Sequence, residues 1–190
     1  MARHKRVLES QGKPDIRQQV EASRGALKKL QLLIPGLRGY RQKEDIRVSD
    51  ELLRNQVADR LDRARANLNI LRKQMVSNND LTNLGGLASL ISQIQALSGE
   101  LRHAAQGYSG FVAPIQVTED ALNRLYDNDF TFVSTIFQFE SSTAPSALAY
   151  NPTAPGSIQP AVSQLTSQVR DIREKWATRI EAMEDILLKK

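Results

Sequence analysis

Cysteine is absent from this sequence. Disulfides, thiolate metal sites and cysteine nucleophiles are excluded with it, although the absence says little about compartment. Aromatic residues are scarce at 5%, so the core has to be built mainly from aliphatic side chains, which suits helices packed on helices. No apolar run approaches the roughly 20 residues that cross a bilayer. The opening Met1-Ala2-Arg3-His4-Lys5-Arg6 lacks the apolar stretch of a signal peptide, so a cytoplasmic location is the default expectation.

Site chemistry is equally thin. His4 and His103 are the two histidines, and neither has an evident second ligand or serine partner placed by motif. Asp127-Asn128-Asp129 lacks the glycine and closing glutamate of a calcium loop and reads as solvated helix acids. Gly107-x-x-Gly110 follows a helical pattern, whereas a phosphate-cradling loop must follow a strand. Neither a catalytic residue, a cofactor nor a metal is therefore expected.

What the chain does have is periodicity. Between Arg41 and Met75, the residues Ile46, Leu53, Val57, Leu61, Ala64, Leu68, Leu71 and Met75 recur at gaps of 7, 4, 4, 3, 4, 3 and 4. That spacing places them on one stripe of a helix that no proline interrupts. At 1.5 Å per residue such a helix is a rod about 50 Å long. A rod with one oily seam needs partners. Ile16, Val20, Leu27, Leu30 and Ile34 mark a helix before it, opened by Pro14-Asp15 and stopped by Pro35-Gly36, where glycine can take the left-handed cap conformation. Leu84, Leu87, Ile91, Ile94, Leu101 and Ala105 mark a third helix, whose start the pair Gly85-Gly86 moves toward Leu87.

The fourth helix opens with Thr118-Glu119-Asp120 and is apolar on most sides through Leu122, Leu125, Tyr126, Phe130, Val133 and Phe137 together with Phe132, Ile136 and Phe139. A helix of that kind belongs at the centre of a bundle. Phe130-Thr131-Phe132 and Phe137-Gln138-Phe139 alternate as a strand would, but a lone strand would have no partner here, so helix is the expectation. Residues 141–160 hold Pro145, Pro152, Pro155 and Pro160 among Ser, Thr and Ala. This is a long irregular connection that, extended, reaches about 65 Å and leaves the direction of the last helix open. That last helix carries Val162, Leu165, Val169, Ile172, Trp176, Ile180, Met183 and Leu187, a coiled-coil-like seam whose partner is either this chain or another copy.

The expectation is an all-α protein: an elongated antiparallel helical bundle of about five helices with coiled-coil-like seams. Residues 1–13 form a basic flexible arm, 14–140 a four-helix region, 141–160 a Pro/Ser/Ala-rich loop, and 161–190 the C-terminal heptad helix. An up-down order puts both short connections, with Gly39, Tyr40, Gly107, Tyr108, Gly110 and Phe111, at one tip. The net charge of +5 is uneven: +3 over 1–13, +6 over 14–77, −5 over 78–140 and +1 over 141–190. Segments of opposite charge are expected to pack on each other, within the chain or between copies.

Ile34-Pro35-Gly36 with Gly39-Tyr40, followed by Gly107-Tyr108-Ser109-Gly110-Phe111 and then Leu122, Leu125-Tyr126 and Asp129, resembles an uncharacterised family of small prokaryotic helical proteins. The resemblance covers about residues 34–130. Asn128 stands where that pattern has an aromatic residue. The resemblance implies a helical fold and carries no activity with it.

Two functional readings follow. The first is a non-enzymatic interaction or assembly protein, a scaffold or adaptor that self-associates or binds another protein, with Tyr40, Tyr108, Phe111, Ile172 and Trp176 as contact candidates. Against this, the rings can plug the core's end and Trp176 can be core. The second is a nucleic-acid or anionic-surface binder. Arg47, Arg54, Arg65 and Arg72 fall within about 20° of one another on an ideal helix, and the arm adds Arg3, Lys5 and Arg6. The structural alternative is that the arginine stems cover the seam while their heads pair with acids of the neighbouring helices. Pairs such as Asp50 with Arg54 and Asp59 with Arg63 are expected on the wet side of the second helix.

Overall fold

The computed structural model describes residues 16–37, 43–104 and 119–188, with side chains over 25–37, 48–104 and 121–183. Expectations for the arm at 1–13 and for Tyr40, Tyr108 and Phe111 lie outside the described residues. In chain order the elements are α1 (Ile16–Leu33), α2 (Lys43–Ser77), α3 (Leu84–His103), α4 (Glu119–Ser142), the single turn α5 (Pro145–Leu148) and α6 (Gln159–Leu188). No strand occurs among the described residues. The phenylalanine-rich stretch 130–139 lies wholly within α4.

Four long helices enclose the core. α2 lies against α3 and α4, and α6 closes the ring by packing on both α3 and α4. Contacts along the helices set their directions. The Ser98 hydroxyl donates to the Ala58 carbonyl and the Arg54 guanidinium meets the last turn of α3, so α2 and α3 are antiparallel. Arg60 reaches Glu140 and Asn67 reaches Thr143, so α2 and α4 run the same way. Val162 stands beside Gly86 and Arg173 pairs with Glu100, so α6 runs parallel to α3 and antiparallel to α4. The bundle is thus two antiparallel pairs, α2/α3 and α4/α6, set side by side.

α1 packs along the outer side of α4, where Ala26, Leu30 and Ile34 are buried and the Lys29 ammonium lies 5.4 Å from the Phe130 ring centroid. It meets α2 near its end, at Gly36 beside Leu52. Gly36 has φ +89°, the left-handed cap that favours glycine. α4 touches α1, α2 and α6, which is why it is apolar nearly all round: Leu125, Phe132, Val133, Ile136 and Phe139 are buried. The Phe132 ring lies 5.7 Å from the Trp176 ring.

The α2 seam is closed from Leu53 to Met75, with Leu53, Val57, Leu61, Ala64, Leu68, Leu71 and Met75 all buried; the side chain of Ile46 lies outside the described residues. From Val162 to Trp176 the α6 seam is closed by this same chain. Ile172 is fully buried and Trp176 nearly so, so neither is a surface on which another copy could dock. Ile180 departs from the expected seam and is 36% exposed, while Arg179 is 1% exposed.

Two further expectations are corrected. α3 starts at Leu84, ahead of the glycine pair: the Leu87 amide already donates to the Asn83 carbonyl at 3.0 Å. Gly86 sits against Val162 of α6, and that packing outweighs a helix-propensity cost of about 1 kcal/mol per glycine. Residues 141–160 are not a free loop. Thr143, Leu148 and Ile158 are buried in them, the Thr153 amide donates to the Asn151 side chain, and Gly156 with φ +83° lies against Thr82 and Asn83. The connection folds back at the end of the bundle that holds the α2–α3 turn and never crosses its length.

Gly99 lies inside α3 with nothing within 4 Å of where a Cβ would stand. Gly99→Ala is expected to raise stability by about 0.8–1 kcal/mol, read as a higher urea midpoint with unchanged slope.

Candidate functional site

Counted strictly by threes and fours, the seams of three helices each run into polar residues at one level. On α2 the positions 75, 71, 68, 64, 61 and 57 continue to Arg54 and Asp50. On α4 the positions 143, 139, 136 and 132 continue to Asp129. On α6 the positions 162, 165, 169, 172 and 176 continue to Arg179. Asp50, Arg54, Asp129 and Arg179 are all at most 5% exposed. They form a charged layer in a core built mainly from apolar side chains.

Arg179 is its hub. Its Nε donates to Asp129 Oδ1 at 2.6 Å, and its Nη1 donates to Asp50 Oδ1 at 2.7 Å. The other oxygen of Asp50 accepts from Arg54 Nε at 2.9 Å. Arg54 Nη1 lies 3.2, 3.3 and 3.4 Å from the carbonyl oxygens of Ala104, Arg102 and Leu101, at the end of α3. Those last-turn carbonyls have no intrahelical donors and carry the negative end of the helix dipole, so a guanidinium there is both partner and countercharge. Two cations and two anions balance. A lone ion of either sign would be costly at this depth.

A second set of ion pairs ties the helices nearer the surface. Glu140 accepts from Arg60 at 2.5 Å and Arg63 at 2.7 Å, and the Arg60 guanidinium carbon lies 3.1 Å from the Phe137 ring centroid. Arg102 of α3 bridges Asp59 and Asp62 of α2 at 2.9 and 2.6 Å. Burial pushes the Glu140 carboxyl up, but hydrogen bonds and charge from Arg63 and Arg60 outweigh it and hold the group below its ordinary value of 4.5.

Several sequence expectations change accordingly. Asp50 and Arg54 do pair, but inside the core and not on a wet face. Asp59 and Arg63 each pair with another helix instead of with each other. Asp129 is a buried ion-pair partner and not a solvated acid, whereas Asp127 is exposed. The arginine stripe splits. Arg54 is buried; Arg65 is half-buried and lies 3.6 Å from Asp62; Arg72 is exposed. The step of 11 from Arg54 to Arg65 moves from a seam position to its flank in a heptad frame, though the two nearly coincide on an ideal straight helix. The side chain of Arg47, and Arg3, Lys5 and Arg6, lie outside the described residues. Both glycine–tyrosine connections do too, although the helix ends that flank them gather at the end of the bundle holding the polar layer. His103 is exposed in the last turn of α3.

Sequence reasoning missed the polar layer because it sought hydrophobic residues and chose Ile180 over Arg179. The signal was the break in alternation, 4 then 4, at Ile172–Trp176–Ile180. Among the described residues no three His, Asp or Glu side chains gather as metal ligands, and no helix is long and apolar enough to cross a membrane. Comparison with protein-family models, with curated proteins and with solved structures returns no match.

Arg179→Met takes the guanidinium from Asp129, while Asp50 keeps Arg54, and is expected to cost about 3–5 kcal/mol. Replacing Asp129 by Leu in the same chain leaves Asp50 and Arg54 as a balanced pair and is expected to recover most of it, measured by urea unfolding. Glu140, whose folded value is lowered, adds stability above its unfolded value, lost as pH falls through the folded one. In Glu140→Gln that acid-side loss, as pH falls below about 4.5, should shrink, by comparison of Tm against pH for the two proteins.

Proposed function

We propose that this chain is a non-enzymatic helical interaction and assembly protein, a cytoplasmic scaffold or adaptor that associates with itself. The observation that carries the reading is how the buried ionisable groups are used. Asp50, Arg54, Asp129 and Arg179 are directed at one another and at the end of α3, where they act as a joint between helices. A bundle locked in this way presents long, stiff lateral faces, a geometry suited to holding partners in fixed relative positions. Exposed aliphatic side chains at both ends, Leu32 at 79% and Leu81 at 67%, add apolar contact area. The kinship with small prokaryotic helical proteins belongs to the same proposal and rests on the two glycine–tyrosine motifs.

The second reading, an anionic-surface or nucleic-acid binder, keeps a specific support. Arg72 and Lys73 are exposed at the far end of α2. It loses Arg54 to the core.

Light scattering separates the readings. Self-association gives a mass above the 21.2 kDa of one chain that persists at high salt. The rival gives a monomer whose binding to labelled DNA or RNA falls steeply as salt rises from low to physiological. A monomer that binds neither would overturn both.

A further inference from the structure

Charged residues make up 25% of this chain, yet residues 81–99 and 141–169 contain no Asp, Glu, Lys, Arg or His. Asp80, at the edge of the first of these segments, is 3% exposed. Far apart in sequence, the two segments are brought together by the fold. Gly86 stands beside Val162, and Gly156 beside Thr82. α3 and α6 then run parallel until Glu100 and Arg173 form the ion pair between them. The N-terminal halves of both helices and the connection from 141 to 158 thus form one continuous flank without charge. Ser89, Ser92, Gln95, Ser163 and Ser167 are exposed on it, with Leu81 at its end.

A face that only meets water can carry charge at no cost. Depletion of charge is instead the compositional mark of the buried centre of an interface, and short side chains let helices of two molecules approach closely.

Charge selects the occupant. The chain carries +5 overall, and its α2 side displays Arg72 and Lys73 beyond Arg63 and Arg65, which pair with Glu140 and Asp62. Two copies meeting through that side would set base against base. The neutral flank meets itself without repulsion, as a two-fold contact requires of a self-complementary patch. We propose that the charge-free flank of α3, α6 and the 141–158 connection is the docking surface for a second copy of this chain. This inference rests on the assembly reading and locates its interface.

The test uses the full-length chain. Sedimentation velocity is expected to show a species near twice 21.2 kDa. Ser89→Lys with Ser163→Lys should weaken it by at least about tenfold, while circular dichroism and Tm stay unchanged. Gln138→Lys, on exposed α4, should leave it intact. Because the chain lacks cysteine, Ser92→Cys gives a second readout: oxidation should link two copies, and Gln138→Cys should not. A dimer that the lysines do not touch and that Ser92→Cys does not link overturns this placement and leaves the assembly reading standing. A wild-type chain that stays monomeric at its highest attainable concentration overturns both.

Discussion

Arg179 has to be neutralised where it stands. Its guanidinium lies in the bundle interior with 1% of its surface exposed, and it is held by carboxylates from two other helices. This one requirement ties α2, α4 and α6 at a single level, across the diagonal of the bundle as well as along its sides. Aliphatic seams alone tolerate sliding by a heptad, since one layer of Leu and Val resembles the next. A polar layer does not, because any shift leaves a buried charge without its partner. The layer therefore sets the register of α6, and through Arg54 it also marks where α3 ends.

The rest of the packing follows from that level. Below it the seams of α2, α3, α4 and α6 close over aliphatic side chains together with Phe132, Phe139 and Trp176, and the two pairs of antiparallel helices keep fixed neighbours. Outside the core, Glu140 and Arg102 each bind two partners on α2; Glu140 follows the opposite charge of the two segments, and Arg102, a base of the acidic segment, pairs the other way. Such half-exposed pairs are individually modest in energy. Their effect is directional, since they fix which faces of α3 and α4 turn toward α2.

Charge is distributed with equal consequence on the surface. The α2 side is rich in bases and in ion pairs, while the lower half of the α3/α6 side has neither. Core joint and neutral flank lie at different levels of the rod, so altering the flank leaves the buried ion pairs untouched. This separation allows the flank to be altered independently of the buried ion pairs.

How much of this was legible in the sequence depended on whether the information was local. Helix positions, the glycine cap at Gly36 and the central place of α4 follow from periodicity and turn chemistry within short windows, because a helix satisfies its backbone within itself and buries one stripe. Three things required the folded chain. The start of α3 at Leu84 and the anchoring of residues 141–160 depend on contacts between segments about 75 residues apart, such as Gly86 with Val162, which override local propensity. Asp129 and Arg179 look like ordinary surface charges until the fold sets Arg179 between Asp129 of α4 and Asp50 of α2. The neutral flank exists only because α3 and α6 lie side by side. The sequence by itself determined which segments coil and which of their sides are oily; the tertiary structure decided which charges are buried together, because the energy of a buried ion depends on neighbours that no local window contains.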